Sequence, residues 1–398
     1  MANSSTALPL KWTNPLVLEW AREQAAYKPD EVERLLEASP GTVQAWEKGL
    51  GYPDIDMLRK LSHIYDLPFS YFFLEVPPEE PQVRDLRGTP KERRKELSRK
   101  TQLALREFRR LSGLARTLQE VTGNFVPQYI GKPSPHETPE QIAKRETIRL
   151  GITRDLGKRW ATKEDAYQNR RQLVEALGVF VFSLPMSPLE CRGAAISQES
   201  YATAILVNQI ESPTARSFTL FHEYCHLMLS TDTQLVMCDH FPGDTESFSN
   251  RFASSILLPE DEFIEILKHN GLYRYQDWWT DETLSELAGG FFVSRDVIAI
   301  RLENLQLAPA GFYKNKRERW DRHFLAGGGF GQGGKGKKIY TQEKLGPGLF
   351  NLTLQAVRTG ILHPVNAALC IGEVRGGERP WLIKIKDIES WTREQKPT

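Results

Sequence analysis

The chain has 398 residues, of which 40% are hydrophobic and 26% charged. That balance suits a packed, soluble protein of two or three domains and excludes a mainly disordered chain, a fibre or a disulfide scaffold. Fifty-two basic against 51 acidic side chains leave +1, so any case for nucleic acid or membrane must rest on local charge.

The opening MANSSTALPLKWTNPLVLEW lacks a basic n-region and an unbroken apolar core. The longest apolar runs, such as Gly178 to Phe182, fall short of the roughly 18 residues that span a bilayer. Four widely spaced cysteines (Cys191, Cys225, Cys238, Cys370) form no CxxC pair and suit a reducing compartment. A cytoplasmic protein without membrane contact is expected.

Residues 12–76 read as short helices with tight turns, the pattern of a helix-turn-helix module. Within it, Ser39 is the expected N-cap of a helix with Pro40 at its first position, and Gly49 stops the segment. The run PPEEPQV at 77–83 cannot continue a helix and reads as a linker. A long helix is expected over 89–121, opened by Thr89, Pro90 and Glu92 as a capping box. Arg84 to Arg116 carry twelve basic and four acidic residues, a net of +8. This basic connecting helix, 84–122, is either solvated between two domains, a phosphate-contacting face or a partner surface.

Thr138 caps a further helix, RRQLVEALGVFVFSLP reads helix then strand, and CRGAAIS and TAILVN are short strands of a small sheet. SFTLFHEYCHLMLS and ESFSNRFASSILLP are helical, and DETLSELAGGFFVSRDVIAIRLENLQL reads as a helical pair. Residues 326–338 form a Gly/Lys-rich loop. Gly329 to Lys335 fits G-x-x-x-x-G-K, but Gly336 replaces the magnesium-binding Ser or Thr and no strand leads in, so a nucleotide site is not expected. The last sixty residues read as a small mixed α/β tail.

The most specific signal is His222-Glu223-Tyr224-Cys225-His226. Histidines at i and i+4 share a helix face and can reach one ion, and the glutamate beside the first can reach a water on it. A catalytic zinc takes three protein ligands plus water. Glu246, twenty residues past His226 at the start of the next helix, is the leading third candidate; His240 and Asp244 are rivals in the intervening loop. Glu246, Asn250 and Ala253 share one face, so Asn250 is a candidate support for the ligands. Cys225 reads as a packed thiol. TAILVN is a candidate edge strand for an extended peptide, and His240, Tyr273 and Tyr275 are candidate electrophiles.

Residues 173–308 resemble the ImmA/IrrE family of zinc-dependent metallopeptidases. The resemblance is carried by LVEALGVFVF, TAILVN, ARSFTLFHEYCH, E-x-x-x-N-x-F-A-x-x-I-L-L-P from Glu246 to Pro259, and FFVSRDVIAIRLENLQL. It implies a gluzincin-type site, with His222, His226 and Glu246 on zinc and Glu223 as the base. Cys225 stands where the family has glycine. A His₂Glu set also accepts manganese or other divalent ions.

Residues 27–73 resemble the Cro/cI-type (Xre-like) helix-turn-helix through Ser39, Thr42, Val43, Trp46, Glu47, Gly49, Pro53 and Leu58. On that mapping Gly41, Thr42, Gln44 and Lys48 face DNA. Pro29, Glu33 and Glu37 replace the family's glutamine, small alanine and turn glycine. Residues 1–76 carry seven basic and eleven acidic side chains, net −4, which offers little counterion release. DNA binding and protein docking or dimerisation are therefore both open.

The expected architecture is an α+β multidomain chain. It comprises a helix-turn-helix domain at 12–76, the connecting helix, a metallopeptidase domain at 140–308 with a small sheet, and a C-terminal α/β domain at 309–398. The resemblance implies a zinc endopeptidase that cleaves a partner transcriptional repressor. The alternative is a DNA-binding or antitoxin-like regulator whose metallopeptidase-like domain is a sensor or inactive. A homodimer is compatible with either.

Overall fold

The computed structural model describes residues 13–65, 67, 69–78, 83–85, 97–125, 130–134, 136–152, 160–188, 190–229, 235–237, 244–325, 337–371 and 384–394. The expected capping box at Thr89, most of the Gly/Lys-rich loop 326–338, His240 and Cys238 lie outside these residues, as does the side chain of Asp244. The chain forms two compact units. One comprises Met1–Gln82, Lys91–Arg110 and Val357–Thr398, the other Val83–Pro90 and Leu111–Ala356.

The first unit opens with four helices, α1 (Pro15–Gln24), α2 (Pro29–Leu36), α3 (Thr42–Glu47) and α4 (Ile55–Tyr65), followed by a 3₁₀ turn at Phe69–Phe73. Their apolar faces converge on Leu18, Ala21, Val32, Leu36, Val43, Trp46, Leu58, Leu61 and Phe72. Buried Arg22 pairs with Glu47 at 2.6 Å, tying α1 to α3. Pro29 sits at the first turn of α2, where no backbone donor is lost.

The start of α3 differs from expectation. The helix begins at Thr42 rather than Pro40, and its N-cap is Gly41, with no side-chain cap of its own. The cap comes from α2 instead: buried Glu33 accepts the Val43 N–H at 3.0 Å. Two more helices of this unit, which we label after the intervening elements, pack on one another: α15 (Pro364–Ile371) and α16 (Ile385–Glu394).

The expected connector also differs. Val83–Asp85 is a strand, β1, and the helix α5 covers Arg99–Thr122. Thr101, Ala104, Leu105 and Phe108, then Leu111, Ser112, Ala115 and Leu118, are buried at three- and four-residue spacing. The helix is therefore packed along one stripe rather than solvated all round. Several of its cations are engaged locally: Arg99 lies 3.5 Å over the Tyr27 ring, Arg110 pairs with Glu107 and Arg116 with Glu120.

The second unit continues with α6 (Pro139–Arg149), α7 (Lys163–Glu175), β2 (Phe180–Leu184), β3 (Gly193–Ile196), β4 (Ala204–Asn208), α8 (Pro213–Leu229) and β5 (Leu235–Met237). It ends with α9 (Asp244–Leu257), α10 (Glu260–His269), α11 (Asp281–Gly290), α12 (Arg295–Asn304), α13 (Phe312–Leu325) and α14 (Lys337–Arg358). Thr138 and Thr162 open α6 and α7 with capping boxes, as their sequences direct.

The sheet runs β1-β5-β3-β4-β2. β4 pairs parallel with β2 and antiparallel with β3, and β3 pairs antiparallel with β5. The TAILVN strand is thus interior, not an edge: its backbone groups are taken on both sides, and all five residues of β4 are buried. An uninterrupted apolar run of that kind is what a strand covered on both faces requires. Helix α8 lies against β3, β4, α7 and α9. Around it Val174, Val207, Leu220, Phe221, Phe252, Ile256 and Ile298 form one continuous core.

Among the described residues of 309–398 every regular element is a helix, so no α/β tail is found there. Residues up to Ala356 belong to the second unit and those from Val357 to the first.

Candidate metal centre

The rotation of α8 about its axis is fixed by the side chains that are not candidate ligands. Tyr224 is fully buried and donates to Glu146 Oε2 on α6 at 2.8 Å, while Arg149 donates to the Tyr224 hydroxyl. Cys225 is buried beside Ser249 of α9, in the close α8–α9 contact. With those faces committed, the i, i+4 spacing leaves His222 and His226 side by side, their Nε2 atoms 3.1 Å apart.

Helix α9 brings the third group. Glu246 Oε2 lies 3.1 Å from His222 Nε2, and its Oε1 lies 3.3 Å from His226 Nε2. All three residues are buried. Burial lowers the pKa of His226 and Glu246 restores it only in part, so the ring is held neutral. For Glu246 burial opposes ionisation, but hydrogen bonds from His222 and His226 outweigh it and hold the carboxyl well below its ordinary range.

These donors suit a divalent ion. A tetrahedral ion with ligands at about 2.0–2.1 Å keeps neighbouring ligand atoms about 3.3 Å apart, close to the separations found. Two imidazoles and one carboxylate are zinc-type donors, and Cys225 is not among the converging groups.

Glu223 is fully buried and faces β3. Gly193 lies against it so closely that a Cβ there would stand 2.6 Å from Glu223 Oε1 and 2.5 Å from Thr219 Cγ2. The Cys191 thiol donates to the Gly193 carbonyl at 3.1 Å and holds the turn into β3. Gly193 was not singled out from the sequence; its role depends on a partner thirty positions away and has no local signature.

The other expected residues are placed differently. Asn250 is half-buried, and among the described residues no hydrogen bond joins it to His222, His226 or Glu246. Tyr273 and Tyr275 are exposed, the first against Lys268 and the second hydrogen-bonded to Asp277. In the first unit Gly41, Gln44 and Lys48 are exposed and Thr42 is half-buried, while Val43 and Trp46 of the same helix point into the core.

Fold and site together define a metallopeptidase-type unit joined to a helix-turn-helix unit. Residues 174–303 match the peptidase family described as the IrrE N-terminal-like domain. Residues 18–72 match the helix-turn-helix family. The chain therefore carries both domains, in agreement with the resemblance to the ImmA/IrrE family with an Xre-like head. No curated protein matches the chain.

Proposed function

We propose that the protein is a zinc-dependent endopeptidase acting in the cytoplasm. Its proposed substrate is a partner protein, foremost a transcriptional repressor. The observation that carries this reading is the convergence of His222, His226 and Glu246, with the carboxylate of Glu223 held on the same helix by Gly193. His222, His226 and Glu246 would hold the ion. When bound, it supplies Lewis acidity that lowers the pKa of water and polarises a peptide carbonyl.

Glu223 does the proton work. It takes a proton from the attacking water and passes it to the leaving amine. Its burial keeps the carboxylate out of competition with bulk solvent, and Gly193 gives it room at the sheet. The apolar residues of α8 and β4 exclude further water beneath it.

The helix-turn-helix head brings the peptidase to its partner, either on DNA or by docking the repressor. Exposed Gln44 on α3, with exposed Gly41 and Lys48 at its two ends and half-buried Thr42, are the groups that would meet a duplex. Replacing Glu223 with Gln in the full chain tests the enzymatic reading. The variant should retain about one ion per chain and lose hydrolysis of the repressor. If the biological effect survives that change, the protein acts as a regulator without turnover. An operator mobility shift that does not change in a Gln44→Ala/Lys48→Ala double variant removes DNA reading from α3.

A further inference from the structure

We propose that a cavity of about 560 Å³ beside the His222–Glu223 pair is a subsite for an acidic side chain of an extended peptide substrate. This rests on the peptidase reading above and names the class of residue that reading would select.

His222, Glu223, His226 and Glu246 do not line the cavity, but two of its lining residues neighbour the candidate centre. Phe218 lines it, one helical turn before His222, with the two rings 6.0 Å apart. Arg192 also lines it, and the next residue is Gly193, which touches Glu223. A peptide with its scissile bond at Glu223 therefore has the cavity within reach of a neighbouring side chain.

The charge of the lining selects an anion. Lys163, Arg192, Arg295 and Arg317 face two acids, Glu211 and Asp296. Both acids are already matched, Glu211 with Arg192 at 3.3 Å and Asp296 with Arg317 at 2.5 Å. That leaves Lys163 and Arg295 in excess. The carboxylate facing Arg295 is Asp281, 3.8 Å away, and Asp281 is held more closely by Lys316 at 2.6 Å and Trp320 at 3.0 Å. Arg295 lies 4.7 Å over the Trp320 ring, which braces the guanidinium at the cavity wall.

Backbone dipoles add to this field. Ser212 and Thr214 bring the start of α8 to the wall, and Ser294 and Arg295 bring the start of α12. Both helices present their partial positive ends there. Phe218, Ala288 and Val293 supply an apolar surface for the methylenes of a glutamate or aspartate. A lysine or arginine side chain would meet like charge in the same place.

The test uses the full-length, metal-loaded protein and a library of unstructured synthetic peptides, with cleavage sites read by mass spectrometry. Cleaved peptides should carry Asp or Glu at one fixed position relative to the broken bond. Replacing that residue by its amide should lower kcat/KM about tenfold or more, the effect of losing a charge-assisted contact. In Arg295→Gln and Lys163→Gln the acid-to-amide ratio should shrink. Cleavage without acidic preference, or a ratio untouched by both variants, overturns the subsite while leaving the peptidase reading intact.

A binding arm separates the two readings. Fluorescence anisotropy with the Glu223→Gln protein compares the acidic peptide with its amide. Equal affinity overturns the subsite; acid-selective binding without any wild-type hydrolysis overturns the peptidase reading alone. Succinate that competes as strongly per molecule as the peptide binds would assign the cavity to a free small anion and overturn the peptide subsite.

Discussion

Gly193 and Glu223 are in contact across the junction of β3 and α8, with no room for a methyl group between them. Position 193 is thus coupled to the candidate base and not to the candidate ligands. Gly193→Ala should displace the Glu223 carboxylate, lowering turnover at least about tenfold with metal content unchanged. The overpacking should also cost about 1–3 kcal/mol. Metal analysis, a denaturant melt and a cleavage assay on one preparation check this. Normal turnover in the alanine variant would mean that the carboxylate is not working where it is packed.

Glu246 bridges the two imidazoles, with one oxygen for each. Its removal should therefore reduce metal affinity far more than removal of a neighbour. Glu246→Ala should weaken zinc binding by more than the roughly 10–100-fold that follows loss of a supporting residue. Asn250→Ala, which makes no hydrogen bond to the cluster among the described residues, should stay at or below the lower end of that range. Competition with a chromophoric chelator measures both. A Glu246→Ala protein that holds zinc as tightly as wild type would remove the carboxylate from the ligand set.

Much of this was legible in the chain because it depends on spacing within single helices. Histidines four apart must share a face, and Thr138 opens α6 through a group three residues on. What escaped the sequence depends on partners from elsewhere. Glu33 caps α3 from ten residues upstream, so Ser39 and Pro40, which satisfy local rules, do not start that helix. β1 is three residues in a highly charged stretch and exists through its pairing with β5. The place of β4 inside the sheet was readable: AILVN shows no polar alternation, which argues against an edge.

Glu37 ends α2 in the left-handed region, at φ 56° and ψ 36°, and its side chain is exposed. That conformation costs a non-glycine residue about 1–2 kcal/mol, and nothing buried is lost on removing the side chain. Glu37→Gly should therefore stabilise the helix-turn-helix unit, by about 1 kcal/mol after the greater entropy of glycine in the unfolded chain is counted. A thermal melt followed by circular dichroism is the measurement. A lower melting temperature would show that Glu37 makes a stabilising interaction that its exposure does not suggest.

Glu175, at the end of α7, is enclosed by Gly346, where α14 breaks at φ 75°, and a Cβ at 346 would overlap its carboxylate. It accepts from the N–H groups of Val181 and Gly348, each at 3.3 Å, and lies 3.6 Å from Arg171. Burial pushes its carboxyl up to about 7, against the opposing pull of Arg171. In the unfolded chain the group ionises near 4.5. Between these two values the folded state keeps a proton that the unfolded state has released, so this group's contribution to stability is full below about pH 4.5. It declines as pH rises to about 7 and is constant above. Glu175→Gln cannot ionise and lacks that decline. Relative to wild type the variant should gain stability from about pH 5 to pH 8, by about 1.4 kcal/mol for each unit separating the two values. Paired urea melts across that range measure the difference; a stability gap independent of pH would place the wild-type carboxylate in its ordinary range and refute the burial argument.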